Sequence, residues 1–274
     1  MKRLAFALAV LLALPLIADD EEDALRKDME KAIGEGAAFR RVGPFLVAGK
    51  MPEGDLDDVE GTITRCHKAL EKQFFDKDAD RLLAVYLFPT ADKYDAFCIS
   101  YMGERSTSKY GFYLPGRHAL VMNIGTGTGT LVHEMTHALI EFDFPKVPCW
   151  FNEGFASLFE QCSTAGGKIR GLVNWRLPLL QRAIGDKSVL TWKKLCEYTG
   201  RDFYGDGSGL RYAEARYLCM WLQEKGLLEG FYEKFRGAQE KDASGYETLA
   251  GLFDKPIEEV EAEWREWVAG LKWE

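Results

Sequence analysis

Residues 133–137 read His133-Glu134-Met135-Thr136-His137 and lie in a segment whose apolar residues have helical spacing. Side chains four positions apart lie one above the other on an α-helix, so both imidazoles can face one metal ion. Glu134 is then free to act as a base on a water molecule at that ion, as in the H-E-x-x-H pattern of zinc hydrolases. The opposing interpretation is a pair of ordinary surface histidines. We expect a metal-binding helix, with Zn²⁺ as the cofactor, one ion per chain.

A catalytic zinc site needs a third protein ligand and one open position for water. The best candidate is Glu153, in the run Trp150-Phe151-Asn152-Glu153-Gly154-Phe155-Ala156, 16 residues beyond His137. A proline-bounded loop at 144–148 separates the two segments, so a second helix can fold back against the first and turn Glu153 toward the histidines. A surface glutamate in the first turn of a helix, stabilised by the helix dipole, is the alternative interpretation.

The rest of the chain predicts an α+β fold, with a sheet in the first half and mainly helices in the second. Alternation of apolar and polar residues and turn signals predict strands, and helical spacing of apolar residues predicts helices. The predicted strands are a hairpin at 39–50, a buried strand at 81–88 and two strands at 111–114 and 118–124; the predicted helices before the metal helix are 22–34, 57–75 and 91–101. We divide the chain into residues 1–18, an N-terminal αβ segment at 19–80 and a main domain at 81–274.

At these two motifs the chain resembles the gluzincins, the thermolysin-like superfamily of zinc metallopeptidases. In that group a glutamate on the next helix completes H-E-x-x-H, and here the second motif reads W-x-x-E-G-x-A over 150–156. Looser similarities lie at 111–113, 212–226 and 259–271, so the resemblance covers roughly residues 80–271. It implies that residues 81–274 form a metallopeptidase domain that hydrolyses a peptide or protein substrate.

The resemblance also implies roles for individual residues. Glu134 would be the general base, and a tyrosine or histidine from the helical half would stabilise the developing oxyanion. Because no histidine follows His137, we expect a tyrosine, with Tyr212 as first choice and Tyr217 and Tyr204 as alternatives.

Ligating imidazoles are normally held through their other ring nitrogen. Asp143 and Asn152 are the candidates for that contact. The two remaining histidines, His67 and His118, each stand alone in a helical or strand pattern, and we expect them to be structural.

The first 18 residues have the pattern of an export signal. Lys2 and Arg3 precede an apolar run at 4–17, which is followed at once by five acidic residues. This pattern predicts a secreted, periplasmic or cell-envelope protein, although an uncleaved N-terminal anchor stays open. A formal net charge of −8 argues against nucleic acid or an anionic membrane as the main partner and mildly favours cationic substrates. We expect no stable membrane insertion once the signal is removed.

Two further hypotheses stay open. In the first, the chain is a catalytically silent zinc-binding accessory protein of the cell envelope, and in the second it is a zinc hydrolase of a non-peptide amide. Retention of Glu134 favours catalysis, because a structural site needs no base. Structural sites usually close with a fourth ligand, often cysteine, and Cys149 is near enough in sequence to be considered. Cys149 and Cys162 flank the second motif and are also candidates for a disulfide.

Overall fold

The computed structural model describes residues 19–273, and the predicted export signal at 1–18 lies outside them. The α+β class is confirmed, with a sheet in the first half and mainly helices in the second. The strands are β1 (Ala38–Val42), β2 (Phe45–Gly49), β3 (Leu83–Phe88), β4 (Gly111–Leu114), β5 (Ala119–Asn123), β6 (Cys162–Ser163) and β7 (Arg170–Gly171). The helices are α1 (Asp19–Ile33), α2 (Glu53–Gln73), α3 (Ala91–Met102), α4 (Gly129–Asp143), α5 (Cys149–Leu158), α6 (Leu177–Gly185), α7 (Trp192–Cys196), α8 (Gly200–Tyr204), α9 (Ser208–Glu224), α10 (Leu228–Ala238), α11 (Tyr246–Ala250) and α12 (Ile257–Gly270).

The main sheet has the order β1-β2-β3-β5-β4 and is mixed. Its three inner strands run parallel, and each outer strand pairs antiparallel with its neighbour. Successive residues of a strand point to opposite faces, and both faces are covered by helices. Val85 on β3 packs in the core beneath α2 and α4, while Tyr86 packs beneath α1 and α3. The metal helix therefore lies on the sheet, beside the edge strand β4.

Strand β3 explains why an unbroken apolar run appears in the sequence. All six of its residues are buried, because it is a central strand with helices on both faces. It pairs with β2 from the N-terminal segment. The division that we predict between residues 80 and 81 thus falls within one continuous sheet.

The helical half packs around α5 and α9. Gly154 lies in α5, where a Cβ atom would come within 2.7 Å of the backbone oxygen of Ala215 on α9. Only glycine permits that approach without a shift of one helix. The second motif helix, α5, ends at Leu158, and the chain then forms the small β6–β7 hairpin.

Within residues 19–273, no helix is long and apolar enough to cross a membrane.

Candidate metal centre

Three ligand atoms from α4 and α5 converge on one point. The Nε2 atoms of His133 and His137 are 2.9 Å apart, and each lies 3.3 Å from Oε2 of Glu153. In a tetrahedral site with bonds of about 2.1 Å, two ligand atoms are separated by about 3.4 Å. The spacing of the three atoms is close to that value. The group can therefore hold a metal ion, and it is the group that the two motifs predict.

The polarity of these atoms also fits a cation. Nδ1 of His137 lies 2.9 Å from the side-chain oxygen of Asn152 and must donate its hydrogen there, which leaves a bare lone pair on Nε2. Oε2 of Glu153 is buried and has no hydrogen-bond donor within the described chain. The lone pairs of these atoms thus point toward one another, and a positive charge between them, either a proton or a bound metal cation, removes the repulsion.

An ion pair of Glu160 and Arg176 contacts His133 on the Nδ1 side of its ring. Oε1 of Glu160 lies 3.3 Å from Nδ1 of His133, in contact but without hydrogen-bond alignment. Glu160 is itself held by Arg176, whose Nε and Nη2 donate at 3.0 and 2.7 Å. Burial raises the pKa of Glu160, but His133 and Arg176 outweigh it and lower the pKa to about 2. The carboxylate is therefore charged and favours a hydrogen on Nδ1 of His133, which frees Nε2 for a metal.

The pKa values of the ligands reflect their crowding in the metal-free site. Burial lowers the pKa of His133, but Glu153 and Glu160 outweigh burial and raise it to about 10. Burial likewise raises the pKa of Glu153, while the two histidines hold it well below its ordinary value. A proton on the imidazoles thus takes the place that a metal ion would occupy.

Of the two residues expected to contact the imidazoles through their second ring nitrogen, one makes that contact and the other does not. Asn152 contacts His137 as expected. Asp143 does not contact either histidine, because its carboxylate is fully engaged at the far end of α4. It accepts hydrogen bonds from Tyr232, from Arg236 and from the backbone of residues 76 and 77. That expectation was wrong, and the residue behind His133 is Glu160, which the sequence reading missed.

The three ligand side chains line an open cavity that shares residues with a second cavity, and we call the two cavities the halves of one cleft. The Glu141 half has a volume of 490 Å³ and is bounded by β4, the end of α4 and the 144–148 loop. The Arg176 half has a volume of 740 Å³ and is bounded by the 126–130 segment, Trp175, Arg176 and the start of α9. His133, Glu134 and Tyr212 line both halves. Glu134 is half-buried and faces the cleft beside the ligands, as a base must.

The three candidate tyrosines occupy different places. Tyr212 lines both halves of the cleft, and burial and the charge of Glu153 raise its pKa. Tyr204 donates its hydroxyl hydrogen to Oε1 of Glu153 at 2.8 Å. Tyr217 is fully buried, and its hydroxyl bonds to the backbone of Asn174, outside the cleft lining. The geometry leaves Tyr212 and Tyr204 as the tyrosines beside the ligands.

Neither cysteine beside the second motif closes the site. All six cysteines are free, so the disulfide considered between Cys149 and Cys162 is absent. The thiol of Cys149 donates to the backbone oxygen of Tyr198 at 3.3 Å instead of joining the ligand group.

The two remaining histidines also lie elsewhere. His67 contacts Asp78 at 3.3 Å. His118 lies between Arg81 and Tyr113, with ring nitrogens 3.3 and 3.4 Å from their polar atoms. Neither joins the ligand group.

No protein-family model and no curated protein matches the chain.

Proposed function

We propose that the protein is an exported, zinc-dependent metallopeptidase. One observation carries the proposal: three converging ligand atoms belong to side chains that line an open cleft, and Glu134 lines the same cleft. Three protein ligands with an open approach are typical of catalytic zinc sites, whereas structural sites take four. The orientation of the Cys149 thiol toward Tyr198 supports the open interpretation. The basic and apolar start of the chain supports export.

Zinc is the ion that best suits the donor set and its surroundings. Two imidazoles and a carboxylate bind Zn²⁺ in hydrolases, and the same set binds Fe²⁺ in oxygenases. Glu134 favours zinc and hydrolysis, because activation of water needs a base and activation of oxygen does not. A zinc ion held by these residues would supply Lewis acidity and lower the pKa of water toward about 7.

The residues around the metal position have separate roles in this reaction. Glu134 accepts a proton from the attacking water and delivers it to the leaving nitrogen, acting first as base and then as acid. Tyr212 donates a hydrogen bond to the carbonyl oxygen as negative charge develops on it. Asn152 and Glu160 orient the two imidazoles through Nδ1.

A polypeptide suits the cleft better than a compact amide. Strand β4 is at the edge of the sheet, and its Phe112 and Tyr113 line the Glu141 half. An exposed strand edge pairs with an extended peptide through backbone hydrogen bonds. A substrate lying along β4 would pass over α4 and present its backbone to the ligands. This geometry supports peptide hydrolysis over cleavage of a small non-peptide amide.

The proposal is tested with zinc-loaded protein and a peptide library of unbiased sequence. We expect the wild type to cleave the library, and the Glu134→Gln variant to keep one zinc per chain while losing at least about 100-fold in rate. Glu266→Gln, which removes one exposed carboxylate on α12, is the matched control and should cleave normally. Cleavage that survives in Glu134→Gln would refute the mechanism. A wild type that binds zinc and cleaves no peptide would support the accessory-protein reading.

A further inference from the structure

Glu141 is a carboxylate in the cleft that the proposed reaction does not use. It lies one helical turn beyond His137, so the Cβ atoms of the two residues are about 5–6 Å apart. Its side chain is half-buried and lines the Glu141 half of the cleft. A group bound there would therefore lie next to the metal ligands, at the distance of a neighbouring substrate residue.

Only one oxygen of this carboxylate is engaged. Oε2 accepts a hydrogen bond from the hydroxyl of Tyr113 at 2.7 Å, and Oε1 has no hydrogen-bond partner among residues 19–273. Arg81, which interacts electrostatically with Glu141, donates a hydrogen bond to Asp80 at 2.8 Å and contacts Nε2 of His118 at 3.3 Å. Arg81 forms no ion pair with Glu141 within the described chain. Tyr113 thus holds one oxygen of the carboxylate, and the other oxygen, on a side chain that lines the cleft, accepts no hydrogen bond within the described residues.

The residues that line this half would carry a net negative charge even with a divalent metal ion bound. Its charged lining residues in the described chain are Glu134, Glu141 and Glu153, with no lysine or arginine among them. A divalent ion would balance two of these three carboxylates, and Arg81, which does not line this half, is paired with Asp80. The Arg176 half differs, because Arg176 and Glu160 already neutralise each other there. The two halves of the cleft therefore offer different electrostatic environments to a bound chain.

The walls beside Glu141 are apolar. They are formed by Phe112, Pro115, Ile140, Phe144, Pro145 and Val147. Long cationic side chains bury their methylene stems on such surfaces and extend their charged heads to a carboxylate. A short cation would leave these walls exposed to water, and a neutral apolar side chain would bury Glu141 without a partner.

We propose that the Glu141 half of the cleft binds a lysine or arginine side chain of the substrate, next to the bond that is cleaved. This inference rests on the proposed function insofar as the ligand is a peptide. Glu141 is a specificity-determining residue in this account, and Tyr113 is the positioning residue that orients it.

Binding is measured first, on zinc-loaded Glu134→Gln protein, so that turnover plays no part. The probes are acetylated and amidated peptides that differ at one position, which carries arginine, norleucine or glutamate. We expect the arginine peptide to bind about 10- to 100-fold more tightly than the norleucine peptide, as suits a charge-assisted hydrogen bond. Adding Glu141→Gln should reduce that ratio to below about threefold, while adding Glu266→Gln, with the same loss of charge outside the cleft, should preserve it.

Turnover then separates the inference from the function on which it rests. In otherwise wild-type protein, the ratio of kcat/KM for the arginine peptide over the norleucine peptide should fall with Glu141→Gln. The Glu141→Lys variant should cleave the glutamate peptide with a higher kcat/KM than the arginine peptide. Equal cleavage of arginine and norleucine peptides by the wild type would overturn the inference and leave the metallopeptidase intact. Absence of cleavage of any peptide would overturn the proposed function, and the binding ratio would still decide the role of Glu141.

Discussion

The carboxylate of Glu160 lies 3.3 Å from Nδ1 of His133, on the side of the ring that faces away from Glu153. Arg176 holds this carboxylate with two hydrogen bonds. The ligand His133 is therefore oriented by an ion pair, while His137 is oriented by the neutral amide of Asn152. The two imidazoles should differ in their sensitivity to substitutions behind them.

Glu160→Gln tests this difference. It keeps the shape of the side chain and removes the charge that favours a hydrogen on Nδ1 of His133. We expect zinc affinity to fall about 10- to 100-fold, measured by competition with a chromogenic chelator. Asn152→Ala should have a smaller effect, and Glu266→Gln should have none. An unchanged zinc affinity in Glu160→Gln would show that the ion pair does not position the ligand.

Substitutions of the two tyrosines beside the ligands should affect different quantities, kcat for Tyr212 and zinc affinity for Tyr204. Tyr212→Phe should lower kcat about 100- to 1,000-fold with zinc affinity intact, as for the loss of a donor to an oxyanion. Tyr204→Phe should instead weaken zinc binding, because its hydroxyl holds Glu153. Tyr217→Phe makes the same change on the same helix as Tyr212, outside the cleft, and should preserve both quantities. A loss of kcat in Tyr204→Phe alone would transfer the donor role to Tyr204.

Much of this site could be predicted from sequence because the spacing of residues along a helix determines which side chains face the same point. His133 and His137 face one point because helical periodicity fixes them, and Asn152 follows from its place one residue before Glu153. Glu160 lies in the turn that follows α5, two residues beyond Leu158, so helical spacing from Glu153 does not place it behind His133.

Other features depend on contacts distant in sequence and could not be read from it. Asp143 is six residues past His137, the end of the motif, but Arg236, 93 residues away, draws its carboxylate to the other side. The Tyr113 to Glu141 contact depends on β4 lying beside α4, a sheet order that no local pattern encodes. Local spacing thus predicted which three residues converge into a group that can hold a metal ion, and tertiary packing decided what surrounds them.

Glu214 gives the stability of the protein a specific pH dependence. Burial raises the pKa of its carboxyl to about 7, although the backbone N–H of Leu190 opposes the shift. The folded chain then holds a proton that the unfolded chain releases near pH 4.5, so this contribution is complete below pH 4.5 and is lost as pH rises through 7. Between pH 5 and pH 8 it should remove about 2–3 kcal/mol from the free energy of unfolding.

Urea denaturation of metal-free protein at both pH values measures this contribution. Glu214→Gln cannot titrate at this position, so its free energy of unfolding should fall less than that of the wild type between pH 5 and pH 8. An equal fall in both proteins would show that Glu214 does not carry the dependence.

Gly154→Ala should disturb the packing that brings Glu153 to the histidines. The added Cβ would come within 2.7 Å of the Ala215 oxygen, so α5 and α9 must separate. We expect a loss of about 1–3 kcal/mol in stability, together with weaker zinc binding. Gly230→Ala is the matched control, because its Cβ would have no neighbour within 4 Å. Equal stability of the two variants would contradict this account of the helix contact.

The central claim is that His133, His137 and Glu153 together hold one zinc ion. Zinc content per chain, measured by native mass spectrometry, tests it most directly. We expect one zinc in the wild type and in Glu134→Gln, and none after dialysis in His133→Ala, His137→Ala or Glu153→Ala, each shown to be folded by circular dichroism. A wild type without bound metal, or a Glu153→Ala variant that keeps its full zinc content, would contradict the account.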